Sequence, residues 1–354
     1  FVGDTGFGEN YQENEERRGR GNVLKDHGYT YGFERFDPLL SASDVVVANL
    51  ETPLTALTTS PFEGVRRWLH RSDPVQAPQA LTSRNIGVVT LANNHTADYG
   101  QQGLLDTLHA LDSNGIITVG AGLDSTAATR PFRARAELAT GNSETPTETF
   151  RLRVYSAFRG GRLFRDTMNA YAGPDQPGCA PLRMTSLLRR VQQAKERRPD
   201  EFVVVCVHWR RDYQWRSDQQ ADVATRLTEA GADLVLGHGS HMMQEIEKLS
   251  GRWVVHGVGN FVFNSPGRYQ KLGAPPYSLV TRLTVSHRDI VLRLYPIVTD
   301  NRLVRYQPRP VTEEEFEEVA TLLAARSNVP DSFREEFQRE HDSYGYALTA
   351  HLRR

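Results

Sequence analysis

Cysteine is nearly absent. Cys179 and Cys206 are the two among 354 residues, which argues against a disulfide framework and is compatible with a reducing compartment. Long apolar runs are missing as well. The longest, Phe202–Val207 and Val254–Phe263, fall far short of the roughly 18–20 residues that cross a bilayer, and the second contains His256 and Asn260. Neither charge sign is in excess: 42 Lys and Arg against 43 Asp and Glu give a formal net charge of −1. That balance argues against nucleic acid or a membrane surface as partner, since binders of both usually carry a basic surplus. No basic-then-apolar leader opens the chain. It starts on a strand-like segment without Met, so a removed leader, tag or anchor stays open. As it stands the chain reads as cytoplasmic, with secretion or tethering left open. No Gly-x4-Gly-Lys-Ser/Thr loop is present, so ATP-driven ligation by this chain alone lacks support. No Gly-x-Ser-x-Gly elbow occurs, and Cys206 lies inside an apolar run, which disfavours Ser or Cys nucleophiles.

What is present is an ordinary globular composition, 39% hydrophobic and 24% charged, which excludes global disorder. At about 150 residues per domain the length allows two domains, or one large α/β domain with an extension. Short apolar runs alternate with helical patterns. Strands are expected at 44–50, 86–91, 116–119, 151–156, 202–207, 234–237, 253–258, 277–284 and 289–298. Leu104, Leu105, Leu108 and Leu111 recur at helical spacing, as do Val223, Leu227 and Ala230. Near-continuous Val and Leu runs suggest strands buried on both faces. Residues 8–32, 139–149 and 158–182 read as loops or lids. Residues 312–326 read as an acid-led helix, with a second helix after Pro330. The fold class is therefore α/β, with 1–308 as the main domain and 309–354 as a helical C-terminal extension.

The chemistry gathers where apolar strands end, which is where open α/β sheets place their sites. Asp4 leaves the first strand, and Glu51 follows Val46-Val47-Ala48-Asn49-Leu50. Asn94 and His95 follow Leu91, His208 follows Val207, and His238 and His241 follow Leu236. Each alone is most simply a turn, a cap or a packed histidine. Together, two carboxylates, an amide and several imidazoles form an oxygen and nitrogen donor set suited to Mn²⁺, Fe²⁺ or Zn²⁺. Arg66, Arg67, Arg210 and Arg211 are candidate anion contacts, since guanidinium groups bind phosphate or carboxylate in a bidentate manner. Each of them is equally a surface arginine in the bland reading. Tyr99 is either a pocket wall or a packing residue.

The ordered set Gly3-Asp4, Ala48-Asn49-Leu50-Glu51-Thr52-Pro53-Leu54-Thr55, Leu91-Ala92-Asn93-Asn94-His95 with Asp98-Tyr99-Gly100, Val207-His208-Trp209, Gly231–His238, His241, Gln244 and Gly259–Phe263 resembles the CapA family. These capsule or poly-γ-glutamate biosynthesis proteins belong to the calcineurin-like metallophosphoesterase superfamily. The resemblance covers roughly residues 1–300. It implies a four-layer α/β/β/α sandwich with one or two divalent ions at the strand ends. It implies metal ligation by Asp4, bridging Glu51, Asn94, His208 and His241. It makes His95 a stabiliser of the leaving group, with Asp98 beside it in the catalytic motif, and Asn260 a substrate contact. Two departures stand out. The usual Asp-x-His opening is Asp4-Thr5-Gly6, and the late His-x-His is Gly239-Ser240-His241, so His238 is expected to supply the missing imidazole.

The implied activity is a metal-dependent hydrolase of phosphoesterase type, acting on a small anionic or glutamyl-type substrate. Metal-dependent formation, transfer or hydrolysis of an amide bond is the second reading. A non-catalytic assembly factor for a polymer is the third.

Overall fold

A computed structural model describes residues 1–138, 148–326 and 336–352. Its first sheet has parallel strands in the order Asn260–Phe263, Val2–Gly6, Val46–Leu50, Ile86–Thr90 and Ile117–Val119. The second runs Ile246–Leu249, Arg252–Val255, Leu234–His238, Phe202–His208, Glu148–Phe158 and Phe132–Leu138. Its central pairs are parallel and its two edge pairs antiparallel. A third, antiparallel sheet joins Tyr277–Val285, Ile290–Val298, Gly345–Leu352 and Gln338–Asp342. Among the described residues no helix is long and apolar enough to cross a membrane.

Successive strand residues point to opposite faces, and this sorts the apolar side chains into separate cores. Val204, Cys206, Leu234 and Leu236 of the second sheet share one core with Val47, Val88 and Val119 of the first. Their neighbours Val203, Val205, Val207 and Val235 face away. They pack on Leu187 and Val191 of the helix Met184–Arg197 and on Val223 and Leu227 of the helix Asp218–Glu229. On the outer face of the first sheet, Val46, Ala48, Leu50, Ile86 and Val89 pack with Leu81 of Gln76–Ser83 and Leu104 and Leu111 of Gly100–Ser113. Each such side chain contributes about 1.5–3 kcal/mol by leaving water. Both cysteines are buried and free, and burial pushes each thiol up to about 12, so neither is a ready nucleophile.

The end of the chain differs from the expected helical extension. Glu313–Arg326 is a helix, with Phe316, Val319 and Leu323 inserted into the core between the sheets. The segment Gly345–Leu352 then pairs antiparallel with Ile290–Val298, so the tail shares a sheet with the residues before 308. Its alternation explains this: Ala347 and Thr349 face one way, and Leu348 and Ala350 the other, a period of two rather than 3.6. Residues 331–335, where the helix expected after Pro330 would begin, lie outside the described residues, as does 139–147 of the expected surface excursion. The polar run 8–32 is not a plain loop. It forms the helices Glu9–Arg17 and Val23–His27, the second started by Asn22, whose side chain accepts from the Leu24 and Lys25 amides.

Candidate metal centre

The first strand positions Asp4 opposite Asn49 on one side and Asn260 on the other. Its Gly3 lies so close to the neighbouring chain that a Cβ would sit 2.0 Å from the Gly259 carbonyl oxygen, which explains the glycine. Asp4 is fully buried. Its Oδ1 accepts from Asn49 Nδ2 at 2.8 Å and its Oδ2 from the Gly239 amide at 3.1 Å. His238 Nδ1 lies 3.5 Å from Oδ1, and His241 Nδ1 3.7 Å from Oδ2. Burial pushes this carboxyl up, but the close His238 contact and the neighbouring imidazoles outweigh it and bring Asp4 down to about 2.

Glu51 leaves the second strand under the opposite conditions. Both of its oxygens are buried and neither has a hydrogen-bond partner. His208 Nε2 lies 3.4 Å from Oε1 and His95 Nε2 3.8 Å. Burial, then the neighbouring Asp4 carboxylate, raises the Glu51 carboxyl well above its ordinary value. One ligand atom from each of Asp4, Glu51 and His241 lies within 4.8 Å of the others. Asn94 Oδ1 is also buried and unpaired. A buried carboxylate without partners costs several kcal/mol unless a cation meets it. The unpaired oxygens therefore fit a divalent ion.

The second sheet brings the imidazoles. His208 ends its strand and pairs in register with His238. Burial lowers the His208 imidazole to about 3, which keeps it neutral and able to ligate. Its Nδ1 lies 3.4 Å from Asn49 Nδ2. At Gly239 φ is +82°, and a Cβ would sit 2.4 Å from His208 Nε2. A histidine at 239 would thus displace His208. The imidazole beside Asp4 comes from residue 238 instead, and His238 Nδ1 is left without a hydrogen bond. His241 has φ +61°, an uncommon conformation for a non-glycine residue. Asn260 Oδ1 lies 2.9 Å from His241 Nδ1, and the Tyr269 hydroxyl donates to the His241 carbonyl. Asn260 Nδ2 donates to Tyr269 Oη at 3.0 Å. Asn260, expected at the substrate, therefore spends its side chain on holding His241.

His95 sits beside this group. Its Nδ1 is 2.6 Å from Asp98 Oδ2, and its Nε2 is the nitrogen turned to Glu51. Asp98 is fully buried and also accepts from the His70 amide at 2.7 Å. Burial raises the Asp98 carboxyl to about 7, against the pull of Arg66 and His70. Burial and the Arg66 charge drive the His95 imidazole well below its ordinary value. The Arg66 guanidinium lies 3.3 Å from His95 Nδ1 and 3.5 Å from Asp98 Oδ1, and donates to the Asn94 carbonyl at 2.8 Å.

A cavity of about 330 Å³ opens beside these residues, lined by Arg66, Trp68, His70, Asn94 and His95 on one flank and Tyr213, His241 and Arg268 on another. Of the expected anion contacts, Arg66 lines it. Arg67 is exposed and stacks on Trp68 at 5.0 Å. Arg210 is exposed over the Phe164 ring at 5.6 Å, and Arg66 lies 5.1 Å from the same ring. Arg211 has a buried, unpaired Nε, and Tyr99 is buried away from the cavity lining. Sequence reasoning gave no role to Asn49, His70 or Arg268. Asn49 carried a signal: an amide inside an apolar strand must be hydrogen-bonded. It contacts Asp4 and His208 and accepts from Thr90 Oγ1 at 3.1 Å. His70 and Arg268 lie in irregular segments and carried none.

A family model described as "Bacterial capsule synthesis protein PGA_cap" matches residues 1–265. The chain is 27% identical over 273 residues to "Capsule biosynthesis protein CapA" of Bacillus anthracis, covering 75% of this chain and 59% of that protein. It is 28% identical over 265 residues to "PGA biosynthesis protein CapA" of Bacillus subtilis strain 168, covering 75% of this chain and 62% of that protein. The chain thus spans less than two thirds of these relatives' length.

Proposed function

Because the chain belongs to the bacterial capsule synthesis protein PGA_cap family, we propose that it serves the metabolism of poly-γ-glutamate or a related polymer as a metal-dependent hydrolase of phosphoesterase type. The observation that carries this reading is Glu51, whose two buried oxygens have no partner while facing imidazoles. Asp4, Glu51, Asn94, His208, His238 and His241 would hold one or two divalent ions (Mn²⁺, Fe²⁺ or Zn²⁺). Two sheets sharing one core, with helices on their outer faces, support a four-layer α/β/β/α sandwich.

A divalent ion bound there supplies Lewis-acid polarisation of a substrate oxygen and a more acidic water. The chain's own residues do the rest. Asp98 orients His95 through Nδ1, so that Nε2 faces the centre and can pass a proton to a departing oxygen. Arg66 fixes this dyad from the side by reaching both members and the Asn94 carbonyl. Asn49 holds Asp4, and Asn260 with Tyr269 holds His241, which keeps the donors preorganised. The substrate would be small and anionic or glutamyl-type. The test supplies phosphate monoesters, phosphodiesters and γ-glutamyl peptides side by side, with chelator and then Mn²⁺. The expected result is phosphate-ester cleavage that chelation abolishes and Mn²⁺ restores. Cleavage of the γ-glutamyl peptides alone would transfer the proposal to amide chemistry. No turnover of any substrate after Mn²⁺ would overturn it.

A further inference from the structure

We propose that Arg268 is a second anion-recognition point in the cavity, and that the substrate carries a carboxylate or phosphate separate from the group attacked at the metal centre. This deepens the metal-centre reading above and rests on it.

Three arginines line the cavity: Arg18, Arg66 and Arg268. Arg66 is occupied by the His95–Asp98 dyad and by the carbonyls of Asn94 and Trp68. Arg18 pairs with Glu15 at 3.4 Å, with its side chain 62% exposed. Arg268 is placed differently. Its guanidinium lies 5.2 Å from the Tyr213 ring centroid and 5.8 Å from that of Trp68, so two aromatic rings from separate segments define its position. Tyr213 in turn stacks on His241 at 5.2 Å. Arg268 therefore stands one aromatic ring away from a proposed metal ligand.

Its donors are also incompletely used. The side chain makes one hydrogen bond among the described residues, to Asp212 Oδ2 at 2.8 Å. Asp212 is 47% exposed, so water screens that pair and it is weak. A guanidinium carries five N–H donors in a planar fork that matches a carboxylate or phosphate. A substrate with one anionic end at the metal centre and a second anionic group at Arg268 would use both ends of the cavity. A neutral substrate of the same length would leave the Arg268 fork without its second partner.

The test measures binding by calorimetry and Trp fluorescence, Trp68 being in the cavity wall. The full chain is freed of metal with chelator, and the probes are glutarate, inorganic phosphate and neutral glutaramide. The expected result is that the native chain binds glutarate or phosphate more tightly than glutaramide, and that Arg268→Ala weakens this binding fivefold or more. The anion that loses affinity identifies the second group as carboxylate or phosphate. If Arg268→Ala lowers the melting temperature, Arg268→Gln, which keeps the length of the side chain between Trp68 and Tyr213, carries the same reading. A native chain that binds neither anion, one that binds glutaramide as tightly as glutarate, or a loss below fivefold would overturn the proposal. Failure of the metal reading looks different: Mn²⁺ fails to bind while the anion titrations are unchanged.

Discussion

Two buried acid–imidazole clusters among the described residues differ in what their carboxylates touch. In one, Glu247 accepts from Arg216 at 2.7 Å and lies 2.7 Å from His256 Nε2. Burial pushes the Glu247 carboxyl up, but His256 and Arg216 more than offset this and hold it below its ordinary value. In the other, Glu51 has no hydrogen bond at either oxygen, and its carboxyl is driven well above the ordinary range. Composition does not distinguish the two, since both combine a glutamate with histidine. In the first the carboxylate is paired at both oxygens, although His256 Nδ1 and Arg216 Nε have no hydrogen-bond partner. The second has unpaired buried oxygens that fit a cation. An acid–imidazole cluster is thus read as a site by unpaired carboxylate oxygens and by the cavity beside it, not by its residue types.

The contrast can be broken by substitution. The largest effect is expected for Glu51→Gln. Changes in residues around a metal typically cost about 10–100-fold in metal affinity, and loss of this carboxylate should cost more, abolishing Mn²⁺ binding and turnover together. The same substitution should stabilise the metal-free protein, by about 1–3 kcal/mol in thermal unfolding, because it removes an unpaired buried acid. Next is His95→Ala, expected to lower turnover by about 10²–10⁴ with metal content unchanged, as measured by elemental analysis beside kinetics. Glu247→Ala should act in the opposite sense to Glu51→Gln. It leaves His256 buried without its partner and the half-buried Arg216 without its closest carboxylate, and should cost about 3 kcal/mol in chemical denaturation, while Mn²⁺ binding persists.

The smallest effect is in pH. Because the folded Glu247 carboxyl lies below its unfolded value of 4.5, its contribution is fully present above pH 4.5 and is lost as pH falls through the folded value. Glu247→Gln should therefore flatten the fall in melting temperature below pH 4.5. An unchanged acid limb would place that cluster's role elsewhere.

Much of the fold was legible in the apolar runs. The expected strands at 202–207 and 234–237 became Phe202–His208 and Leu234–His238, since buried parallel strands need continuous Val and Leu. Phe132–Leu138 escaped notice because an edge strand alternates with arginine and glutamate and lacks that signal. The tail was read as helical because a second helix was expected after Pro330, against a period-two pattern in 345–352. At the site, Asp4, Glu51 and His241 come within reach of one ion, His208 and His95 lie beside Glu51, and His238 lies beside Asp4. The role of Asn260 was not legible, because only the close approach of two strand ends turns it to His241. Arg268 was not legible either. Its placement depends on Trp68 and Tyr213, which lie far from it in sequence.

The central claim is that Glu51 is a metal ligand. The most direct measurement is anomalous diffraction from crystals grown without chelator and soaked in Mn²⁺. The account predicts one or two anomalous peaks bonded to Glu51, with Asp4, His208 and either His238 or His241 around them, and none in Glu51→Gln crystals. Crystals of the native chain with no peak at Glu51, or with an undiminished peak in Glu51→Gln, would contradict it.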